Sequence, residues 1–169
     1  PERCFAYIYG VLYCPLYTLQ FAESLANGSP RVPFTKSTKF FTEMVNCGNR
    51  LIEIHLSNKP SEYVTNMAIQ GSNLTVEKAT IRNSAVFIND TTSFGPITEV
   101  AWEYSASGYT ILERWFNKRK GAKLSELEVA DIGGAINSVE KTLLMLPHLG
   151  QVLQNILSGD IFSTAELSY

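Results

Sequence analysis

The sequence predicts an α+β fold in which helices pack around a small antiparallel sheet and the C-terminal end is helical. Three observations predict it. Between residues 37 and 56, Phe40, Phe41, Met44, Val45, Gly48, Leu51, Ile52 and His55 recur at intervals of three and four, the period of a helix with one buried face. From Lys59-Pro60 to Pro96 the apolar period shortens to two, as in half-buried strands. From Ser125 the helical period returns. It opens on Ser125-Glu126-Leu127-Glu128, a capping box in which Ser125 accepts from the N3 amide and Glu128 reaches back to the cap amide.

In chain order, residues 3–13 (RCFAYIYGVLY) are apolar nearly all round, with Phe5, Ile8, Tyr9 and Leu12 at helical spacing. Such a helix requires burial on several sides, and so a partner to dock onto. Pro15 can open a second helix at its first position. That helix runs through Phe21 and Leu25 and stops near Asn27-Gly28. Pro30-Arg31-Val32-Pro33-Phe34, with two prolines and no period, reads as an extended connector. In the helix over 37–56, Gly48 costs roughly 1 kcal/mol relative to alanine, so close packing against a neighbour is its expected reason. His55 lies at the edge of the apolar face with no catalytic partner nearby, the position of a partly buried core-edge imidazole.

The strand region predicts two or three antiparallel strands. Leu74, Val76 and Ile81, then Val86 and Ile88, are bounded by Gly71-Ser72-Asn73, Asn83-Ser84 and Asn89-Asp90. Next comes WEYSASGYTILERWFNKRKG, residues 102–121. Ser107 can cap a helix over 109–120 that Gly108 lets the chain enter. Ile111, Leu112, Trp115 and Phe116 share one face; Thr110, Arg114, Asn117 and Lys118 share the other. Lys118, Arg119 and Lys120 suit the negative end of the helix dipole, and Gly121 suits a C′ stop. After Ser125, the apolar face continues through Ile132, Ile136, Val139, Leu143 and Leu146, with Gly133-Gly134 as an expected kink. Pro147 predicts a break, after which Val152, Leu153, Ile156 and Leu157 form a short last helix ending at Gly159.

The 169 residues suffice for an ordinary core, and 45% hydrophobic content excludes disorder. No apolar run is long enough to cross a membrane. The net charge of −2 is not that of a basic nucleic-acid binder, but it is unevenly spread. Residues 1–123 hold 13 Lys and Arg against 10 Asp and Glu; residues 124–169 hold 1 against 6. A polyanion is therefore expected to approach the first part. Cys4, Cys14 and Cys47 form no close pair, which favours reduced thiols and the cytoplasm. His55 and His148 belong to no His/Cys cluster that would suit zinc. The chain begins at Pro1 without an initiator methionine, which suggests a fragment.

Trp102-Glu103-Tyr104, Ser107-Gly108-Tyr109, Leu112, Trp115, Arg119 and Gly121 resemble the signature near the C-terminus of Type ISP restriction–modification enzymes. Tyr7-Ile8-Tyr9-Gly10-Val11-Leu12, Pro15, Tyr17, Phe21-Ala22 and Pro30-Arg31-Val32-Pro33 resemble that family's junction between methyltransferase and recognition domains. Gly48, Leu51, His55 and Leu56 match a third pattern; the C-terminal helices resemble the family more loosely. Those enzymes join nuclease, helicase, adenine methyltransferase and DNA target-recognition domains in one chain. The resemblance implies that this chain is the C-terminal recognition part of such an enzyme, or of a related adenine methyltransferase, in bacterial defence. Residues 1–34 would be the junction to an absent methyltransferase domain, 35–123 the recognition domain and 124–169 its helical end. S-adenosylmethionine would belong to the parent enzyme.

No methyltransferase or ATPase loop occurs in the chain, no Gly-x-Ser-x-Gly elbow, and no convincing set of acids. Asn58-Lys59-Pro60-Ser61 lacks the second proline and the aromatic of a base-flipping loop. Catalysis by the chain itself is not expected; binding remains. The candidate duplex-DNA contacts are Arg31, Lys36, Lys39, Asn73, Arg82, Asn83, Arg114, Lys118, Arg119 and Lys120. Cations position a duplex through its phosphates, whereas Asn, Gln and Arg can read base edges. Gln70, Asn73, Asn83 and Asn89 are possible readers, but asparagine is more often a turn residue, and a basic cluster is more often a solvated helix end. The competing class is a non-catalytic interaction module that docks through residues 3–25 or through the acidic C-terminal helices.

Overall fold

The computed structural model describes residues 1–28, 31–56, 67–106 and 108–167. Pro30, the segment from Lys59-Pro60 to residue 66, and Ser107 lie outside them, and with them the expected cap at Ser107. The chain forms two compact units: Pro1–Leu56 with Thr142–Tyr169, and Ser57–Lys141. The boundaries at 34 and 123, which the family resemblance implies, fall inside these units. The fold is α+β, as the periods predict.

The first unit is helical. It contains α1 (Glu2–Tyr13), α2 (Pro15–Gln20), α3 (Ala22–Ala26), α4 (Thr38–Leu56), the last part of α7 (Glu126–Leu157) and α8 (Thr164–Leu167). Pro15 stands at the start of α2 as expected, but the helix breaks at Phe21 and resumes as α3. α1 buries Ala6, Tyr7, Gly10 and Val11 and leaves Phe5 and Leu12 exposed. The buried stripe is thus one position away from the bulkier stripe that the sequence brings to notice. Small residues decide it, because they let the helix axes approach. A Cβ on Gly48 would collide with the Ala6 carbonyl, and one on Gly10 would lie 2.8 Å from the Met44 sulfur. Met44, Val45, Cys47 and Leu51 continue this core to Leu149, Val152, Leu153 and Ile156 of α7.

Two tyrosines hold the extended connector. The Tyr7 ring is stacked between Phe34 and Phe41, with both centroids at 5.0 Å. Its hydroxyl donates to the Pro33 carbonyl (2.6 Å) and accepts from the Thr35 amide (3.3 Å). Burial pushes this hydroxyl's pKa up to about 12, so it remains a donor. Tyr17 donates to the Arg31 carbonyl at 3.1 Å. Backbone polar groups of a segment outside any ladder are thereby satisfied by side chains.

The second unit carries a four-stranded antiparallel sheet of β1 (Ala68–Gln70), β2 (Thr80–Arg82), β3 (Ala85–Phe87) and β4 (Ser93–Gly95), in the order β1-β4-β3-β2. Asn83 and Ser84 have φ of 52° and 54°, the left-handed pair of a two-residue hairpin turn, as their sequence predicts. Leu74 and Val76 do not join the sheet. Their backbone runs against the chain after α6 (Ile111–Asn117), with Val76 N–H donating to Ala122 and Gly121 N–H to Val76. The fourth strand, β4, follows from the buried Phe94, which the sequence presents only as part of a closing turn. Between sheet and α6 lie α5 (Glu99–Glu103), capped by the Thr98 hydroxyl, and a hairpin of β5 (Ser105–Ala106) and β6 (Tyr109–Thr110).

α7 corrects the expected kink and break. It opens on the Ser125–Glu128 capping box, with reciprocal bonds of 3.0 and 3.3 Å, and runs unbroken past Gly133-Gly134 and Pro147. An interior proline costs about 3 kcal/mol, but burying four large apolar side chains after it is worth ~1.5–3 kcal/mol each. Leu149, Val152, Leu153 and Ile156 supply that burial. Ile132 before the glycines and Ile136 and Val139 after them do the same.

Two outcomes follow from the first unit. Gly48→Ala should destabilise it by about 1–3 kcal/mol through overpacking, although alanine is the better helix former. Gly150→Ala, where a Cβ meets nothing within 4 Å, should be neutral or stabilising by up to ~1 kcal/mol. Urea unfolding of the pair checks both. His55 shares hydrogen bonds with Tyr9 (2.7 Å) and Thr142 (3.2 Å), and burial holds its pKa below the usual imidazole value. At acid pH the unfolded state then binds the proton more readily, so stability is full above about pH 6.5 and falls as pH drops through the folded value. Melting temperatures between pH 7.5 and 5 should fall less steeply in His55→Gln than in the parent sequence.

Candidate nucleic-acid interface

The site begins with how α6 is anchored. Leu112 and Phe116 are fully buried, and the Phe116 ring meets Phe94 of β4, Trp102 of α5 and Trp115 at 5.8, 6.2 and 5.1 Å. The helix starts at Ile111, two residues later than the sequence predicts. Tyr109 instead belongs to β6, because Gly108 (φ 80°) turns the chain back into a hairpin. With one face fixed, the opposite one presents Thr110, Glu113, Arg114, Asn117 and Lys118 around an open hollow of about 560 Å³.

Two cations line this hollow in different ways. The Arg114 guanidinium lies over the Tyr109 ring, 4.0 Å from its centroid, and Tyr109 is 59% exposed. Lys118 is exposed at the helix end. The chain then turns back at Gly121 (φ 83°), leaving Lys120 exposed. Arg114, Lys118 and Lys120 have no carboxylate partner among the described residues.

Arg119, between the two lysines, does something else. Its guanidinium lies 3.7 Å over Trp115, donates to the Trp115 carbonyl, and pairs with Glu128 at 2.9 Å. Bonds from Ser125 and from Arg119 hold the Glu128 carboxyl below its usual range. Arg119 therefore locks the turn to the start of α7, and its charge is largely spent inside the fold.

The same unit holds Arg82, Asn83 and Asn73. Arg82 lies 4.1 Å over the Phe87 ring across the β2–β3 ladder, and Asn83 is exposed in the turn beside it. Asn73 is exposed and makes an Asx turn, its side chain accepting from the Thr75 amide at 3.1 Å. Asn89 is different. It is buried, donates to the Asn73 and Thr75 carbonyls, and accepts from the Thr91 and Thr92 amides. It pins the loop and presents no free edge. Gln70 is exposed on β1.

Arg31, Lys36 and Lys39 belong to the other unit. Arg31 edges an apolar hollow of about 750 Å³ with Phe21, Val32, Phe34 and Phe162. Lys36 is bound to Glu166 at 2.7 Å, and that bond, with two from Ser163, brings the Glu166 carboxyl down to about 2. Lys39 lies 5.8 Å from the Phe40 ring. The structure thus brings Arg114 and Lys118 together, sets Arg82 beside Asn83, and ties Lys36 and Arg119 to carboxylates. Sequence reasoning missed Tyr109 as part of the site; the signal available for it was a glycine directly before an aromatic.

Among the described residues, no group of three or more His, Cys, Asp or Glu side chains converges to hold a metal ion. None of their helices is long and apolar enough to cross a membrane. The profile of the Type ISP C-terminal specificity domain matches residues 1–142. The chain belongs to that family. No curated protein matches it.

Three solved structures share the fold of this specificity domain. One is a nuclease-deletion mutant of the Type ISP restriction-modification enzyme LlaGI in complex with a DNA substrate mimic, at 22% identity and a TM-score of 0.61 over 89% of this chain and 16% of that one. The ATP-dependent Type ISP enzyme LlaBIII bound to DNA aligns at 21% and 0.65, over 90% of this chain and 11% of that one. The DrdV–DNA complex aligns at 17% and 0.62, over 89% and 18%. The chain spans less than a fifth of each of these proteins.

Asn89→Ala should destabilise the second unit by about 1–3 kcal/mol, because several loop groups lose their partner at once. Asn73→Ala and Asn83→Ala, both exposed, should cost well under half of that. Denaturant midpoints of the three variants check the division between a pinning asparagine and two available ones.

Proposed function

We propose that this specificity domain binds duplex DNA and selects the site for methylation by a separate catalytic domain of the same parent chain. The observation that carries this is the three cations of α6 and its exit turn, Arg114, Lys118 and Lys120, which form no ion pair among the described residues although Glu113 lines the same hollow, in a domain of the specificity family. LlaGI, LlaBIII and DrdV, which share the fold, are each complexed with DNA or a DNA mimic, and this supports DNA as the partner. Lys118 and Lys120 suit phosphate contacts, which orient a duplex without distinguishing bases. Arg82, Asn83 and Asn73, on the hairpin turn and its neighbouring loop, suit base edges. Arg31 and Lys39 remain candidates for further phosphate contacts, while Lys36 would have to leave Glu166 to serve.

The parent would be an adenine methyltransferase or restriction enzyme working in bacterial defence in the cytoplasm. Its catalytic domain would hold S-adenosylmethionine, for which this chain has no glycine-bearing loop. The outer side of α1 and α2, where Phe5, Leu12 and Leu19 stand exposed, suits docking against that domain.

Replacing Lys118 and Lys120 together with alanine in the intact enzyme should weaken binding to all duplexes alike. It should also flatten the plot of log affinity against log salt by roughly one unit per lost phosphate contact. Fluorescence anisotropy on a cognate and a scrambled duplex across a salt series measures both. An unchanged slope would remove these lysines from the interface, and salt-independent binding of the parent sequence would remove DNA as its partner.

A further inference from the structure

We infer that Arg114, stacked on Tyr109, is a base-reading residue that recognises a guanine edge, and so does more than position the duplex. This rests on the DNA-binding role proposed above and names the specificity contact within that site. The unit holds three arginines over aromatic rings, and their surroundings separate them. Arg119 over Trp115 is neutralised by Glu128. Arg82 over Phe87 flanks a turn. Arg114 over Tyr109 alone among them lines a hollow, and its guanidinium has no ion pair or hydrogen bond among the described residues.

The geometry fits reading better than mere attraction. A guanidinium presents its donors in one plane, and two parallel donors match O6 and N7 of guanine. A phosphate contact needs charge but no fixed plane, and a lysine serves as well. Contact with the Tyr109 ring restricts the Arg114 guanidinium in the free protein, so less rotamer freedom remains to be lost on binding. Tyr109 is itself held by pairing with Ala106 in the β5–β6 hairpin, and Arg114 by a helix anchored through Phe116. Both halves of the stack stand on ordered elements, as a discriminating contact requires. The adjacent Lys118, on the same face, can hold the backbone while Arg114 faces the groove.

The test uses the intact enzyme, selecting from a pool of duplexes with randomised sequence, with the recovered sequences read out. Arg114→Lys keeps the charge and loses the planar pair of donors. It should relax selection at one G·C position by roughly 5- to 150-fold and leave the other positions intact. Tyr109→Ala keeps the arginine and removes its platform, and should relax the same position. Affinity for a single scrambled duplex should change less than about twofold in Arg114→Lys, since no phosphate charge is lost. Full retention of the parent consensus by Arg114→Lys would overturn the inference and leave Arg114 a phosphate contact. Relaxation at every position together would also overturn it. A parent enzyme that binds no duplex at all would overturn the DNA-binding role itself, an outcome recognisable before any variant is made.

Discussion

The burial of Phe116 is the constraint on which the cationic surface depends. α6 is seven residues long, and a helix of two turns is not stable in water by itself. What holds it is the ring cluster of Phe116 with Phe94, Trp102 and Trp115, together with the buried Leu112. These contacts join a strand, a short helix and α6 through Phe94, Trp102 and Phe116. Once Leu112 and Phe116 are inside, helical geometry leaves Arg114 and Lys118 no position but the outer face. The direction of the charges is therefore a consequence of apolar packing.

Charge compensation then decides which cations remain available. A count of the chain gives a negative protein, and the run Lys118-Arg119-Lys120 suggests three equal charges. The structure makes them unequal. Arg119 meets Glu128 and Trp115, and Lys36 meets Glu166, so two acids from the negative C-terminal part are used against cations of the earlier part. The excess of acid after residue 123 thus has a structural use, fastening the turn after α6 and, in the other unit, the C-terminal α8.

Where the local pattern agreed with the packing, the fold could be read from the sequence. The capping box, the left-handed Asn83-Ser84 pair, the long α4 and the close approach at Gly48 are each carried by a few adjacent residues or one steric fact. The misreadings share a different cause. Pro147 and Gly133-Gly134 are local breakers overridden by burial of residues that follow them. Leu74 and Val76 alternate like a sheet strand, but their backbone partner is the segment after α6, nearly fifty residues away. Tyr109 falls within the helical period, but periodicity does not register a left-handed glycine, and Gly108 turns the chain into a hairpin there. For the site, cation identity was legible, but availability was not, since the partners Glu128 and Glu166 lie nine and 130 residues from Arg119 and Lys36.

The two units answer different physical demands. The first is built for close helix contact: glycines at 10 and 48 bring α1 onto α4, and Tyr7 and Tyr17 satisfy the connector with side chains in place of a ladder. The second exposes Arg114, Lys118, Asn73 and Asn83 and buries Asn89, Thr92, Ser93 and Asn137. Its sheet strands are three residues long, and Asn89 is fully bonded where Asn73 and Asn83 are exposed. The Asn83-Ser84 turn between β2 and β3 is exposed, while Val86 and Phe94 of the strands are fully buried. In this chain the support is apolar and aromatic, while the exposed cations and asparagines stand on turns and at a helix end.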